Sequence, residues 1–209
     1  MALNVTIIVA ATRSNRIGVS SQGLPWRLPL EMAYFAHVTS GAPKGSINAV
    51  VMGRKTWESI PSKFRPLKNR LNLVITNQPS YDLLRPNAGS VILAHSLDEA
   101  LKKIDPNASN PQPLQQSLNR IFIIGGATIY NQALSSSSLT RILLTRITEP
   151  DFDDCDVFLP EFRNQTEANG ERIWTQSTHQ DLVDWVGSDV PKGSQQEKDV
   201  EYEFQMWTR

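Results

Sequence analysis

The acid best placed to do chemistry is Glu31. It stands in Leu24-Pro25-Trp26-Arg27-Leu28-Pro29-Leu30-Glu31-Met32-Ala33-Tyr34-Phe35, one acid among apolar and aromatic side chains. Pro29 suits the first turn of a helix, where its missing N–H costs nothing, and the spacing predicts a helix from about Leu30 to Thr39. On it Glu31 and Phe35 share a face, bordered by Tyr34 and Val38. A carboxylate on such a wall meets little water, so its proton affinity rises and it becomes a candidate to hold or pass a proton. A plainer explanation competes, because an acid in a first turn is stabilised by the helix dipole whatever its function. Taken by itself, the helix favours that explanation.

Three strand-to-helix or loop junctions add chemistry. Gly125-Gly126-Ala127-Thr128-Ile129-Tyr130 puts a glycine pair at a strand end, where backbone can approach a ligand and the next helix offers N–H groups to a phosphate. It is not the Gly-x-Gly-x-x-Gly dinucleotide motif. Gly53-Arg54-Lys55-Thr56 is a second helix start, with two cations and a hydroxyl; a solvated basic turn is an equal reading. Phe64-Arg65-Pro66-Leu67-Lys68-Asn69-Arg70 carries arginines whose fork suits a carboxylate, although loop arginines are usually solvated. His37, His95 and His179 are scattered and there is one cysteine, so no metal site is expected. Nucleophile-elbow and Walker motifs are absent from the sequence. The chemistry must come from a bound cofactor that the protein positions.

Strand and helix patterns alternate around these points. Val5–Ala11, Ala49–Met52, Leu71–Ile75, Val91–Leu93, Ile121–Ile124 and Leu139–Ile147 read as strands, several of them continuously apolar as in a sheet covered on both faces. Thr12–Gly23 reads as a loop and Ser40–Ser46 as a linker. Helices are predicted over Arg54–Ile60, Leu97–Ile104 and Ala127–Leu134, the second opened by a Ser96–Glu99 capping box. Asp105–Asn119 reads as a surface insertion. Ile173–Ser177 and Val200–Thr208 read as long strands joined by a loop with Gly187, Pro191 and Gly193. The expectation is a single three-layer α/β domain over residues 1–209. Its central sheet is mixed and mostly parallel, of about eight strands with an antiparallel C-terminal pair, flanked by about four helices.

Composition fits one core: 209 residues, 40% apolar, 21 basic against 21 acidic residues. Zero formal charge points to neither nucleic acid nor an anionic membrane as partner. The single cysteine permits no internal disulfide and suits a reducing compartment. The N-terminus carries no basic leader and Val5–Ala11 is too short to span a bilayer, so the expected location is cytoplasmic, with a mitochondrial pool allowed. The Asn-x-Ser/Thr triplets at Asn4, Asn107 and Asn164 read as chance matches.

Together Ile8-Val9-Ala10, Gly23-Leu24-Pro25-Trp26, Glu31 with Phe35, Met52 to Ile60, Arg65 to Arg70, Ile124 to Tyr130 and Leu144-Thr145-Arg146-Ile147 resemble dihydrofolate reductase in order and spacing, over essentially the whole chain. Asp156-Val157-Phe158-Leu159-Pro160 and the tail Tyr202 to Trp207 look like the eukaryotic, fungal branch. The resemblance implies NADPH-dependent reduction of 7,8-dihydrofolate to tetrahydrofolate by a monomer, supplying one-carbon, thymidylate and purine metabolism, and a target for antifolates such as methotrexate. Glu31 would bind the pterin 2-amino group and adjacent ring nitrogen, with Thr145 behind it, Trp26 placing a water near the pterin carbonyl, and Tyr130 completing the catalytic set. Ile8, Val9, Leu24, Met32, Phe35, Ile60, Phe64, Leu67 and Ile124 would wall the substrate, and Arg70 would take the α-carboxylate of its glutamate tail. Ala10, Ile17, Gly18, Gly23, Gly53, Arg54, Lys55, Thr56, Thr76, Asn77, His95 and Ile124 through Tyr130 would bind NADPH, with Gly18–Leu24 as the mobile loop over the nicotinamide. Met32, Phe64, Asn77 and His95 depart from the animal forms, the first in place of an aromatic, the second of a polar residue, the last two of cations.

Two rivals remain at this point. A reductase of the riboflavin pathway shares fold and cofactor but needs neither Glu31 followed by Phe35 nor Arg70. A non-catalytic pteridine- or nucleotide-binding protein would bind both ligands and consume neither.

Overall fold

The computed structural model describes residues 3–20, 23–78, 81, 91–109 and 114–209. Ser21 and Gln22 of the predicted mobile loop, and Asn110 to Pro113 of the insertion, lie outside the described residues. In chain order the elements are β1 (Val5–Thr12), β2 (Arg16–Gly18), α1 (Pro29–Ser40), β3 (Ser46–Gly53), α2 (Arg54–Ser59), a 3-10 turn (Ser62–Phe64), β4 (Arg70–Ile75), β5 (Val91–Ala94), α3 (Leu97–Ile104), β6 (Ser117–Ile123), α4 (Ala127–Leu134), β7 (Leu139–Glu149), β8 (Val157–Phe158), β9 (Thr175–Gln176), α5 (His179–Val186), β10 (Gln195–Glu197) and β11 (Val200–Thr208). The sheet is mixed, as the alternation implies.

The chain divides into two compact units, one of Met1–Val5 and Thr39–Leu139, the other of Thr6–Val38 and Thr140–Arg209. In the first, strands run β6-β3-β4-β5 and every pairing is parallel. Parallel strands carry crossover helices on their faces, so their side chains are buried on both sides; all six residues of β4 are buried. The Ser96 hydroxyl caps α3 as predicted, accepting from the Glu99 N–H at 3.1 Å. The second half of that box differs: the Glu99 carboxylate accepts from the His95 N–H at 2.7 Å, one residue before the cap, and pairs with Lys103 at 2.8 Å. Strand β6 starts at Ser117, inside the span read as insertion, because Ser46 and Ile47 of β3 pair with Ser117 and Leu118, where a lone leucine among polar residues gives no strand pattern.

The second unit holds β10-β11-β7-β1, with β11 antiparallel to β10, β7 and β9. Three predictions are corrected here. Within the Thr12–Gly23 loop, β2 pairs with β8. Of Ile173–Ser177, only Thr175–Gln176 is strand, since β11 offers it two partners, Trp207 and Thr208. The loop after it contains helix α5, with a Thr178–Asp181 capping box and Gly187 at φ +80° closing its end, both legible in the sequence. A core of Trp26, Leu28, Ile147, Cys155, Val200 and Tyr202 ties this unit together.

Candidate functional site

The predicted site residues fall into a group in each unit. In the second unit, Pro29 opens α1 as its ring geometry dictates, which puts Glu31 in the first turn. Glu31 is 9% exposed and accepts a hydrogen bond from the Thr145 hydroxyl of β7 at 3.1 Å. Burial pushes its carboxyl from 4.5 up to about 7; the Thr145 bond pulls the other way, and the neighbouring Glu197 carboxylate adds to the rise. Dipole stabilisation acts in the opposite direction, so by itself it does not account for the rise. Tyr34 lies one turn from the acid, its phenol also pushed up by burial and by Glu31, and packs on Phe204 at 4.2 Å between ring centroids.

Around this acid the unit assembles an apolar wall. Ile8, Val9 and Trp26 are buried, and Ala10, Ile17 and Phe35 partly so. Trp26 stacks at a tilt on Phe152, 5.0 Å between centroids, and its indole Nε1 is buried without a hydrogen-bond partner among the described residues. Leu24 and Met32 are more than half exposed, so the protein alone does not cover them. Val19 and Gly23 exchange backbone hydrogen bonds of 2.7 and 2.8 Å across the loop tip. Gly18, at φ +147°, could not carry a side chain: a Cβ would lie 2.8 Å from the Gly23 carbonyl oxygen.

The first unit holds the other group. Strand β3 ends at Gly53, whose N–H donates to the Gly125 carbonyl at 2.7 Å, bringing the two predicted junctions together. Gly125 sits at φ +121°, and a Cβ there would meet the Thr56 hydroxyl and the Tyr130 hydroxyl, each at 3.3 Å. The Gly125–Gly126 peptide is cis. Gly126 caps α4 with no side chain, so the first-turn N–H groups have no side-chain acceptor. Ile129 and Tyr130 are buried, Ile124, Ala127 and Thr56 partly so, and Thr128 and Lys55 exposed. This bare backbone beside two hydroxyls fits a phosphate.

Arg70 is 9% exposed, an unusual place for a guanidinium. Its NH1 donates to the Thr39 hydroxyl at 2.7 Å and its Nε to the Lys68 carbonyl at 3.0 Å, and burial pulls its pKa down. Five donors on one fork leave capacity for an incoming carboxylate. Leu67 is held by Asn72, which both donates to and accepts from its backbone. Ile60 is half-buried and Phe64 more than half exposed.

Arg54 NH1 donates to the Glu58 carboxylate, one turn on, at 2.8 and 2.9 Å, and Glu58 accepts from the Tyr81 hydroxyl as well. Thr76 is buried, Asn77 and His95 exposed. The His95 Nδ1 donates to the Thr76 carbonyl at 2.9 Å. Sequence reasoning missed Thr39 as partner of Arg70 and Glu197 as neighbour of Glu31; neither carries a local signal. It also missed a buried cation after Thr145: Arg146 NH1 donates to the Thr12 carbonyl and to Asn15 at the root of the loop.

Comparison with known proteins agrees. The family model described as dihydrofolate reductase matches residues 4–186. A dihydrofolate reductase of Pneumocystis carinii is 44% identical over 99% of this chain and 97% of its own length. One of Cryptococcus neoformans var. neoformans is 40% identical over 98% of this chain and 94% of its own length. The solved Schistosoma mansoni dihydrofolate reductase superposes with a TM-score of 0.76 at 29% identity, over 100% of this chain and 99% of that one. On the Glu31–Thr145 pair, the Gly125–Gly126 turn and these matches, the chain belongs to the dihydrofolate reductase family.

Proposed function

We infer that the chain reduces 7,8-dihydrofolate to 5,6,7,8-tetrahydrofolate with NADPH. The observation that carries this is Glu31: a carboxyl buried on an apolar wall, held by Thr145, with proton affinity raised to about 7. Ionised, it accepts charge-assisted hydrogen bonds from the pterin 2-amino group and adjacent ring nitrogen. Protonated, it lets the pterin region carry the extra proton the reduction requires. A group poised near neutrality does both at working pH. The buried Trp26 indole N–H, without a partner among the described residues, donates to the water that brings this proton to the pterin nitrogen, while Ile8, Val9 and Phe35 exclude bulk water.

Arg70 receives the α-carboxylate of the glutamate tail, with Ile60, Phe64 and Leu67 against the benzoyl ring. NADPH, when bound, supplies the hydride. The cradle at Gly125, which a Cβ would fill, and the uncapped start of α4 hold its phosphates with Thr56. Thr76, Asn77 and His95 take the adenosine side. With the reading go a monomeric state and a cytoplasmic setting, with a mitochondrial pool allowed; the lone buried Cys155 is compatible with both. The test is loss of reduced-nicotinamide absorbance on mixing NADPH and protein, dependent on added dihydrofolate. Binding of both without absorbance loss would leave the non-catalytic rival standing, and loss with a riboflavin-pathway substrate instead would favour the other.

A further inference from the structure

Helix α1 begins with a proline at its first position and no capping side chain of its own, so its first-turn N–H groups need an outside acceptor. That acceptor comes from the far end of the chain. The Glu197 carboxylate, on β10, accepts from the Leu30 N–H at 2.9 Å and the Glu31 N–H at 3.2 Å, and the Tyr202 hydroxyl of β11 donates to it at 2.6 Å. One carboxylate therefore grips the backbone of the residue whose side chain is the candidate pterin anchor. We propose that Glu197 is a positioning residue: its carboxylate, held by three donors, fixes Glu31 through the first turn of α1 and sets a negative charge beside the candidate pterin anchor.

The two acids differ in what surrounds them. Burial alone would raise the Glu197 carboxyl, but the Leu30 N–H, the Tyr202 hydroxyl, the Glu31 N–H and the nearby Lys198 cation outweigh it and hold it below the usual range. Among the described residues Glu31 receives a side-chain hydrogen bond from Thr145 on β7, and the other titratable groups facing it are Tyr34 on α1, Tyr202 on β11 and Glu197 itself. When neighbouring acids compete for one proton, it goes to the one with fewer donors. Glu197 stays ionised and Glu31 holds the proton. The donors that cap the helix thus decide which acid is available for chemistry.

This rests on the reading of Glu31 as pterin anchor, so the test separates the two. Carbon-13 NMR of labelled glutamate carboxyls in the free protein follows Glu31 and Glu197 directly. In wild type, Glu197 stays ionised across the range in which Glu31 titrates; a Glu197 that takes the proton instead overturns the proposal, and needs no variant. In Glu197→Gln, which keeps an acceptor oxygen but loses the charge, the Glu31 midpoint moves to lower pH, and the alkaline loss of turnover moves down with it. Glu197→Asp, which keeps the charge, restores the midpoint. An unmoved midpoint in Glu197→Gln, or an equal drop in Glu197→Asp, shows a merely structural role and refutes the proposal. A moved NMR midpoint with an unmoved turnover profile supports the pairing and refutes instead the role of Glu31 in proton supply.

Discussion

Replacing Glu31 by glutamine should raise stability while removing activity, and the gain should depend on pH in one direction. The folded carboxyl holds its proton up to about 7, against 4.5 in the unfolded chain. Between those values folding takes up a proton, so stability is highest below 4.5 and falls as pH rises toward 7. The gap between 4.5 and about 7 is worth about 3 kcal/mol when fully developed. By pH 5 about 1 kcal/mol of it has been lost, and by pH 8 nearly all. The glutamine side chain cannot ionise and keeps an oxygen for the Thr145 hydroxyl, so the Glu31→Gln variant escapes this loss. The assay is urea unfolding of both proteins at several pH values, plotted as their difference, in which titrating groups remote from Glu31 cancel. The variant should gain on wild type by about 2 kcal/mol between pH 5 and pH 8, a relative rise of roughly 4–8 °C in melting temperature for a chain of this size. Its turnover should fall about a hundredfold or more. Parallel stability curves would refute the reasoning, because they would mean that Glu31 ionises in the fold as easily as in water.

Arg70→Ala should abolish discrimination between dihydrofolate and a pteroate lacking the glutamate, since a charge-assisted pair worth roughly 1.5–3 kcal/mol is lost; equal discrimination by both proteins would remove Arg70 from the carboxylate site. Gly125→Ala forces a Cβ into a backbone at φ +121° and against Thr56 and Tyr130, so NADPH affinity, measured by fluorescence titration, should fall about tenfold or more. Gly170→Ala, at φ +84° but in open space, should strain the chain without that loss. His95→Arg places a fixed cation beside Thr76 and should tighten NADPH about tenfold while leaving NADH unchanged; identical changes for both cofactors would make His95 a surface residue.

What was legible in the sequence was local. Pro29, Ser96 and Gly126 mark helix starts because caps and first turns are set by a few adjacent residues, and α1, α3 and α4 begin where those residues stand. The apolar runs of β3, β4 and β6 mark a parallel sheet for a similar reason. The partner of Arg54 also had a local signal, since Glu58 stands four residues on, one helical turn away. Helix α5 likewise had its capping box and terminal glycine in plain order. Glu197 is of another kind. It meets Leu30 across 167 positions, and no period or motif links the end of a three-residue strand to the start of a distant helix.

The same distinction explains why the site could be recognised before it could be understood. Residue types told that one acid stands among aromatics, but not whether it would be charged there. That depends on how hydrogen-bond donors are shared, which is a property of packing. Here Glu197 takes two backbone N–H groups and the Tyr202 hydroxyl, while Glu31 takes the Thr145 hydroxyl and is walled by apolar side chains. Stability alone would have favoured the reverse, or a glutamine in place of Glu31. The buried Trp26 indole N–H and Tyr34 hydroxyl in the same unit, both without protein partners among the described residues, repeat the pattern. Each is a polar group that a polar heterocycle, or a water ordered beside it, would satisfy. A bound ligand of that kind should therefore stabilise this protein by more than its buried apolar area suggests.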